Sequence, residues 1–87
     1  MDINSLKIQK LNEYIMISLR TSEGIDLNKI GLNWGDIEKE RIVLQINKYL
    51  EHQLISISGS HIRLTNEGML MADGIASDLF GGETAST

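Results

Sequence analysis

Residues 54–65 read Leu54-Ile55-Ser56-Ile57-Ser58-Gly59-Ser60-His61-Ile62-Arg63-Leu64-Thr65, and the fold is decided here. Two short alternating runs flank Gly59-Ser60, a two-residue turn whose leading glycine suits type II′ geometry. That turn sets the register: Ser58 opposes His61, Ile57 opposes Ile62, and Ile55 opposes Leu64. Ile55, Ile57, Ile62 and Leu64 then share one face, while Ser56, Ser58, His61 and Arg63 share the other. A lone hairpin is marginal in water, so its apolar face must lie against helices elsewhere in the chain.

The helices are legible on both sides of it. Upstream, Ile8, Leu11, Ile15 and Leu19 recur at helical spacing. They predict a first helix that starts between Ser5 and Lys10 and ends near Thr21. Gly24 then closes it in a left-handed conformation, with Ile25 as the capping contact. Asp26–Ile30 is expected to make one or two turns before Gly31 breaks them. A third helix over Asp36–His52 puts Ile42, Val43, Ile46, Tyr49 and Leu50 on one face, with Asn33 or Asp36 capping its start. Downstream, Thr65 caps a last helix whose buried stripe is Met69, Ala72, Ile75, Ala76, Leu79 and Phe80. Three helices, a β-hairpin wing and a C-terminal helix predict an α+β, mainly helical, winged-helix-like domain over residues 5–80. The small polar residues 81–87 are expected to form a flexible tail.

Composition limits the chemistry. At 87 residues the chain is one domain, and a chain of this size buries only roughly 60–65% of its unfolded surface. There is no cysteine, which excludes disulfides, thiolate catalysis and cysteine-ligated iron–sulfur clusters within it. A cytoplasmic location fits that count. No apolar run approaches the length of a membrane-spanning helix. A net charge of −4 weighs against nucleic acid and anionic membranes as partners.

The segment Asn12-Glu13-Tyr14-Ile15-Met16-Ile17-Ser18-Leu19-Arg20-Thr21-Ser22-Glu23-Gly24-Ile25-Asp26 resembles a signature, NEYIM-x-x-LRT-x-EGID, of the oxygen-independent coproporphyrinogen III oxidase family. Leu64-Thr65-Asn66-Glu67-Gly68 is similar to that family's LT-x-EG step, and Asp73–Phe80 to the ending of one branch. Their order and spacing carry the resemblance over about Leu11 to Phe80. At Gly31-Leu32-Asn33-Trp34-Gly35 the chain departs from the family's commoner aromatic–Gly pair. The resemblance implies a C-terminal accessory domain of a radical S-adenosylmethionine (SAM) protein of porphyrin and heme biosynthesis. The catalytic barrel would lie N-terminal to it, and a [4Fe-4S] cluster and S-adenosylmethionine would be held there. The parent would be an oxidoreductase of coproporphyrinogen or one of the family's heme-carrying relatives. The fragment itself is expected to have no catalytic, cofactor-binding or metal-binding residues. Met1–Asn4 reads as an engineered start and the other end as a natural C-terminus.

Some residues admit a functional reading beside a plain one. Arg20 and Glu23 are either a structural pair or helix-end charge, or contacts to the implied barrel, and Arg20 could also reach a porphyrin propionate, since a guanidinium fork suits carboxylates. His52 and His61 invite heme ligation but have no partner ligand at useful spacing, so solvated structural roles are favoured. Met16, Met69 and Met71 admit a soft-ligand or binding-surface reading, but in a domain this poor in aromatics they read as core filler. Trp34 is either a packing anchor or an interface residue. Ile17, Ile37 and Leu44 lie opposite the apolar stripes of their helices, and Leu70 and Met71 lie outside the last one. The expected interdomain contact set is therefore Ile17, Arg20, Glu23, Ile37 and Leu44. The competing reading is a winged-helix nucleic-acid or protein-interaction module. On that reading the third helix would present Glu40, Arg41, Gln45, Lys48 and Glu51, a poor cationic footprint for phosphates.

Overall fold

The computed structural model describes residues 3–81, with side chains from residue 6. In chain order the elements are α1 (Ile3–Leu19), β1 (Ile25–Asp26), α2 (Leu27–Trp34), α3 (Asp36–Glu51), β2 (Ile55–Ser58), β3 (His61–Leu64), α4 (Asn66–Met69) and α5 (Ala72–Leu79). The architecture is α+β and mainly helical. The hairpin pairs Ile55 with Leu64, Ser56 with Arg63, Ile57 with Ile62 and Ser58 with His61, the register set by the turn. Of the two turn residues Gly59 alone has positive φ, at 63°, which is the type II′ pattern.

A third strand was not legible in the sequence. Ile25 and Asp26 pair antiparallel with Ile62 and His61, giving the sheet order β1-β3-β2. Two residues are too few to display a period of two, so the pairing depends on what α1 delivers to β3. Gly24 makes that delivery possible. It has φ +74°, and a Cβ placed on it would stand 1.9 Å from the Ile62 carbonyl oxygen. α1 itself starts earlier than expected and ends at Leu19 rather than near Thr21. The Thr21 amide and hydroxyl both donate to the Ser18 carbonyl, and the Gly24 amide donates to the Thr21 hydroxyl.

Gly31 does not break the second helix. It lies inside α2, where an added Cβ would meet only ordinary contacts at 3.4 Å. The helix ends at Gly35 (φ 101°), whose amide donates to the Gly31 carbonyl at 3.0 Å. Asp26 caps its start by accepting from the Asn28 amide. The expected caps of α3 are also corrected. Asn33 lies in α2, Asp36 is the first residue of α3, and Gly35 at the cap position offers no side chain. Asp36 and Glu38 in the first turn instead complement the helix dipole.

The predicted last helix is two helices. Thr65 caps α4 by accepting from the Gly68 amide at 3.1 Å, and its hydroxyl donates to the Gln53 carbonyl at 2.8 Å. Gly68 packs so tightly on the Leu54 carbonyl that a Cβ would sit 1.9 Å from that oxygen. This contact fixes the direction of α4, so the chain turns at Leu70 and Met71 before α5 can lie against α1. Met69 is consequently exposed and leaves the predicted stripe, while Ala72, Ile75, Ala76 and Leu79 remain buried and Phe80 is half-buried.

One apolar core results. Leu11, Ile15 and Leu19 of α1 meet Ile30 of α2, Ile42 and Ile46 of α3, Ile25 and Ile62 of the sheet, and Ile75 and Leu79 of α5. Ile55 is 2% exposed but Ile57, on the same face, is 43% exposed. Helical cover reaches the central strand β3 and leaves the outer end of β2 bare. Gly81 is buried and its amide donates to Asn12 Oδ1 at 2.7 Å. Residues 82–87 of the expected tail lie outside the described residues.

Candidate functional site

The signature segment Asn12–Asp26 is mostly occupied in holding the fold. Besides Asn12 on Gly81, the Tyr14 hydroxyl accepts from the Asp26 amide at 3.0 Å and so pins α1 to β1. The Tyr14 ring lies 5.7 Å from the Trp34 ring and 5.3 Å from Lys29 Nζ. The Trp34 indole donates to the Lys7 carbonyl at 3.0 Å. Of the two readings open for Trp34, the structure favours the packing anchor. Asp26 accepts from the Asn28 amide and the Ser60 hydroxyl, and His61 Nε2 stands 3.8 Å from its carboxylate. Burial opposes ionisation of Asp26, but these hydrogen bonds and His61 together hold its carboxyl below the usual carboxylate range.

Arg20 and Glu23 are not each other's partners. Arg20 bonds Asp73 at the start of α5, and both groups are well exposed, so the pair contributes little in water. Glu23 is exposed and makes no hydrogen bond or ion pair among the described residues. Beside Arg63 and Ser58 it lines an open polar depression, and with Tyr14, Ser18, Asp26 and Lys29 a second of about 520 Å³; His61 lines both. Sequence reasoning put Glu23 at a helix end and His61 and Arg63 on the wing. Only the β1–β3 pairing, which two residues could not announce, brings them together. His52 ends α3 on the surface.

The apolar members of the expected contact set stand in solvent. Ile17 is 66% exposed, Ile37 81% and Leu44 71%. Ile37 and Leu44, two turns apart, share the face of α3 turned away from Ile42 and Ile46. Leu44 borders a depression with Asp36, Lys39, Glu40 and Val43. Leu70 is exposed as the helical pattern indicates, and so is Leu32 on α2, whose exposure the pattern did not indicate.

Two cations assigned to the outward face of α3 have internal partners. Arg41 is half-buried. It donates to the Leu79 and Phe80 carbonyls at 2.9 and 3.1 Å and to Glu38 at 2.8 Å, closing the end of α5. No local pattern announces this, because it depends on α5 ending beside α3. Lys48 pairs with Asp78 at 3.2 Å, and the Tyr49 hydroxyl donates to the same carboxylate. Burial, with Asp78 adding to it, pushes the Tyr49 phenol up to about 12. The Tyr49 hydrogen bond lowers the Asp78 carboxyl against partial burial, and Lys48 lowers it further.

No group of three or more potential metal ligands occurs among the described residues. The chain also lacks the thiolates that hold an iron–sulfur cluster. No helix among the described residues is long and apolar enough to cross a membrane. The most distinctive sequence motif of this domain is largely spent on its own architecture. A family model described as the HemN C-terminal domain matches residues 6–71. The chain belongs to that family, which places it in the context of coproporphyrinogen oxidases and heme biosynthesis. No curated protein and no solved structure matches it.

Proposed function

We propose that this chain is the C-terminal accessory domain of an oxygen-independent coproporphyrinogen III oxidase-like radical SAM protein, or of a heme-carrying relative. It packs on or covers an N-terminal catalytic barrel, where the [4Fe-4S] cluster and S-adenosylmethionine belong, and contributes no catalytic group. The observation that carries this reading is the division of labour within the signature. Asn12, Tyr14, Thr21, Gly24 and Asp26 hold the fold, whereas Ile17 and Glu23 in the same segment face solvent. Ile17, Arg20, Glu23, Ile37 and Leu44 are the proposed contacts to the barrel. Exposed aliphatic side chains on two helices are what a docking face requires, though scattered ones also occur on ordinary surfaces.

The body is of winged-helix type on this reading. Its support is the order α1–β1–α2–α3–β2–β3 with the short β1 paired to β3. That architecture alone would also serve a nucleic-acid binder. The engagement of Arg41 and Lys48 by Leu79, Phe80 and Asp78 weighs against that alternative, because phosphate binding draws on several free cations. The first test is the gene upstream of the domain. A three-cysteine motif within a βα-barrel pattern is expected there, and its absence would sink the proposal. A salt-sensitive gel shift with duplex DNA would favour the alternative.

A further inference from the structure

The outward stripe of α3 carries a carboxylate between its two exposed aliphatic side chains, Ile37 and Leu44. Glu40 follows Ile37 by three residues and precedes Leu44 by four, so it lies between them on the same stripe. No ion pair holds the Glu40 carboxylate among the described residues. The cations near it are engaged elsewhere. Arg41 is held by Glu38 and by the Leu79 and Phe80 carbonyls. Lys48 pairs with Asp78, and Lys39 lays its stem along Gly31 of α2. Asp36, one turn before Glu40, adds a second negative charge at a spacing where like charges repel. Exposed Glu51 carries the stripe two turns beyond Leu44.

Any partner that covers both Ile37 and Leu44 therefore covers Glu40 as well. Stripping a carboxylate of water without a counter-charge carries a penalty comparable to the gain from burying two aliphatic side chains. A neutral or acidic surface gains little by covering this stripe, and a cation facing Glu40 removes the penalty. We infer that the element seated on this stripe is an amphipathic helix that carries a lysine or arginine opposite Glu40. Seven residues at a rise of 1.5 Å set Ile37 and Leu44 about 10 Å apart along α3. A second helix can offer aliphatic side chains at that same spacing, with the cation one turn from each. A strand gains no hydrogen bonds here, because the mid-helix backbone of α3 is bonded within the helix. A second copy of the chain would bring the same excess of carboxylates. The inference rests on the docking reading for the protein that supplies this helix, and on Glu40 for its chemistry.

The test uses two matched helical peptides, one amphipathic in leucine and lysine and the other in leucine and glutamate, titrated against the chain at low salt. The lysine peptide should bind about tenfold or more tightly than its counterpart and should protect Ile37 and Leu44 from hydroxyl-radical modification. Glu40→Lys should lower the ratio of the two affinities by about tenfold or more. Glu67→Lys makes the same change of net charge on α4 and should leave the ratio nearly unchanged. Leu44→Ser should weaken the lysine peptide without altering the fold by circular dichroism, since Leu44 is exposed. Equal affinities, no binding of the lysine peptide at millimolar concentration, or protection away from Ile37 and Leu44 overturns the inference. A ratio that ignores Glu40→Lys, or that falls equally with Glu67→Lys, overturns it too. Protection of Leu44 that rises with concentration of the chain alone would assign the stripe to a second copy instead. Each of these results leaves docking on the barrel to be decided by protection of Ile37 and Leu44 in the longer gene product, so the two failures are distinguishable.

Discussion

Substituting Gly24 by alanine should be far more damaging than the loss of glycine at another positive-φ position, and the difference can be worked out from the structure. Gly24 at φ +74° and Gly59 at φ +63° both give up a conformation costly to L-residues, about 1–2 kcal/mol each. At Gly59 the space for a Cβ is open, so the cost should stop there. At Gly24 the new Cβ would sit 1.9 Å from the Ile62 oxygen, where real contacts do not fall under 3.0 Å. β1 must therefore move away from β3 by about 1 Å, beyond the reach of good hydrogen bonds. The Ile25–Ile62 pair and the Leu27 amide on Ser60 then lose their bonds. At about 1 kcal/mol for each of three bonds, the total for Gly24→Ala is about 4–5 kcal/mol. A protein of this size has only about 4–13 kcal/mol to lose. In urea, with a slope near 1 kcal/mol/M, Gly59→Ala should lower the midpoint by about 1–2 M. Gly24→Ala should lower it by about 4 M or leave no folded baseline. Equal shifts for the two variants would refute the close approach of β1 to β3.

Other outcomes follow from the same contacts. Thr65→Val removes the α4 cap and the bond to Gln53, and should cost about 1–2 kcal/mol in urea unfolding, with the hairpin retained by circular dichroism. Gly74→Ala, on the open surface of α5, should instead stabilise by up to about 1 kcal/mol. The raised Tyr49 phenol resists ionisation in the folded state. Its contribution is therefore present below the ordinary phenol value and lost as pH rises towards about 12, and Tyr49→Phe should flatten that alkaline limb of a stability–pH curve. Asp26 has the opposite sign. Its lowered carboxyl favours the folded state above the unfolded value of 3.8, and the benefit is lost as pH falls through the folded value. Asp26→Asn should weaken the acid dependence of unfolding.

What could be read in the sequence was whatever repeats with a local period. The hairpin register was fixed by two turn residues and two alternating runs, and the α1 and α3 stripes by Leu11, Ile15, Leu19, Ile42 and Ile46. Thr65 announced its capping role by position alone. What could not be read depends on distant partners. Gly31 resembled a breaker, but its side of α2 faces Asp36 and Lys39 with room for a helix to pass. Arg41 looked solvent-facing because its acceptors, Leu79 and Phe80, come close only after folding. The break at Leu70 and Met71 has no proline to signal it and follows from the seating of Gly68 on Leu54. The candidate site was half legible. Ile17, Ile37 and Leu44 could be placed by helical phase. The meeting of Glu23 with His61 and Arg63 required a strand of two residues.

The central claim is that the exposed positions on α1 and α3 are covered by a catalytic barrel. Hydroxyl-radical footprinting of Ile17, Ile37 and Leu44 tests it most directly, comparing the isolated chain with the longest gene product that contains it. The account predicts that all three are modified readily in the isolated chain and several-fold less in the longer protein. Exposed Leu32 should be modified alike in both. Equal modification of Ile17, Ile37 and Leu44 in the two forms would contradict the account.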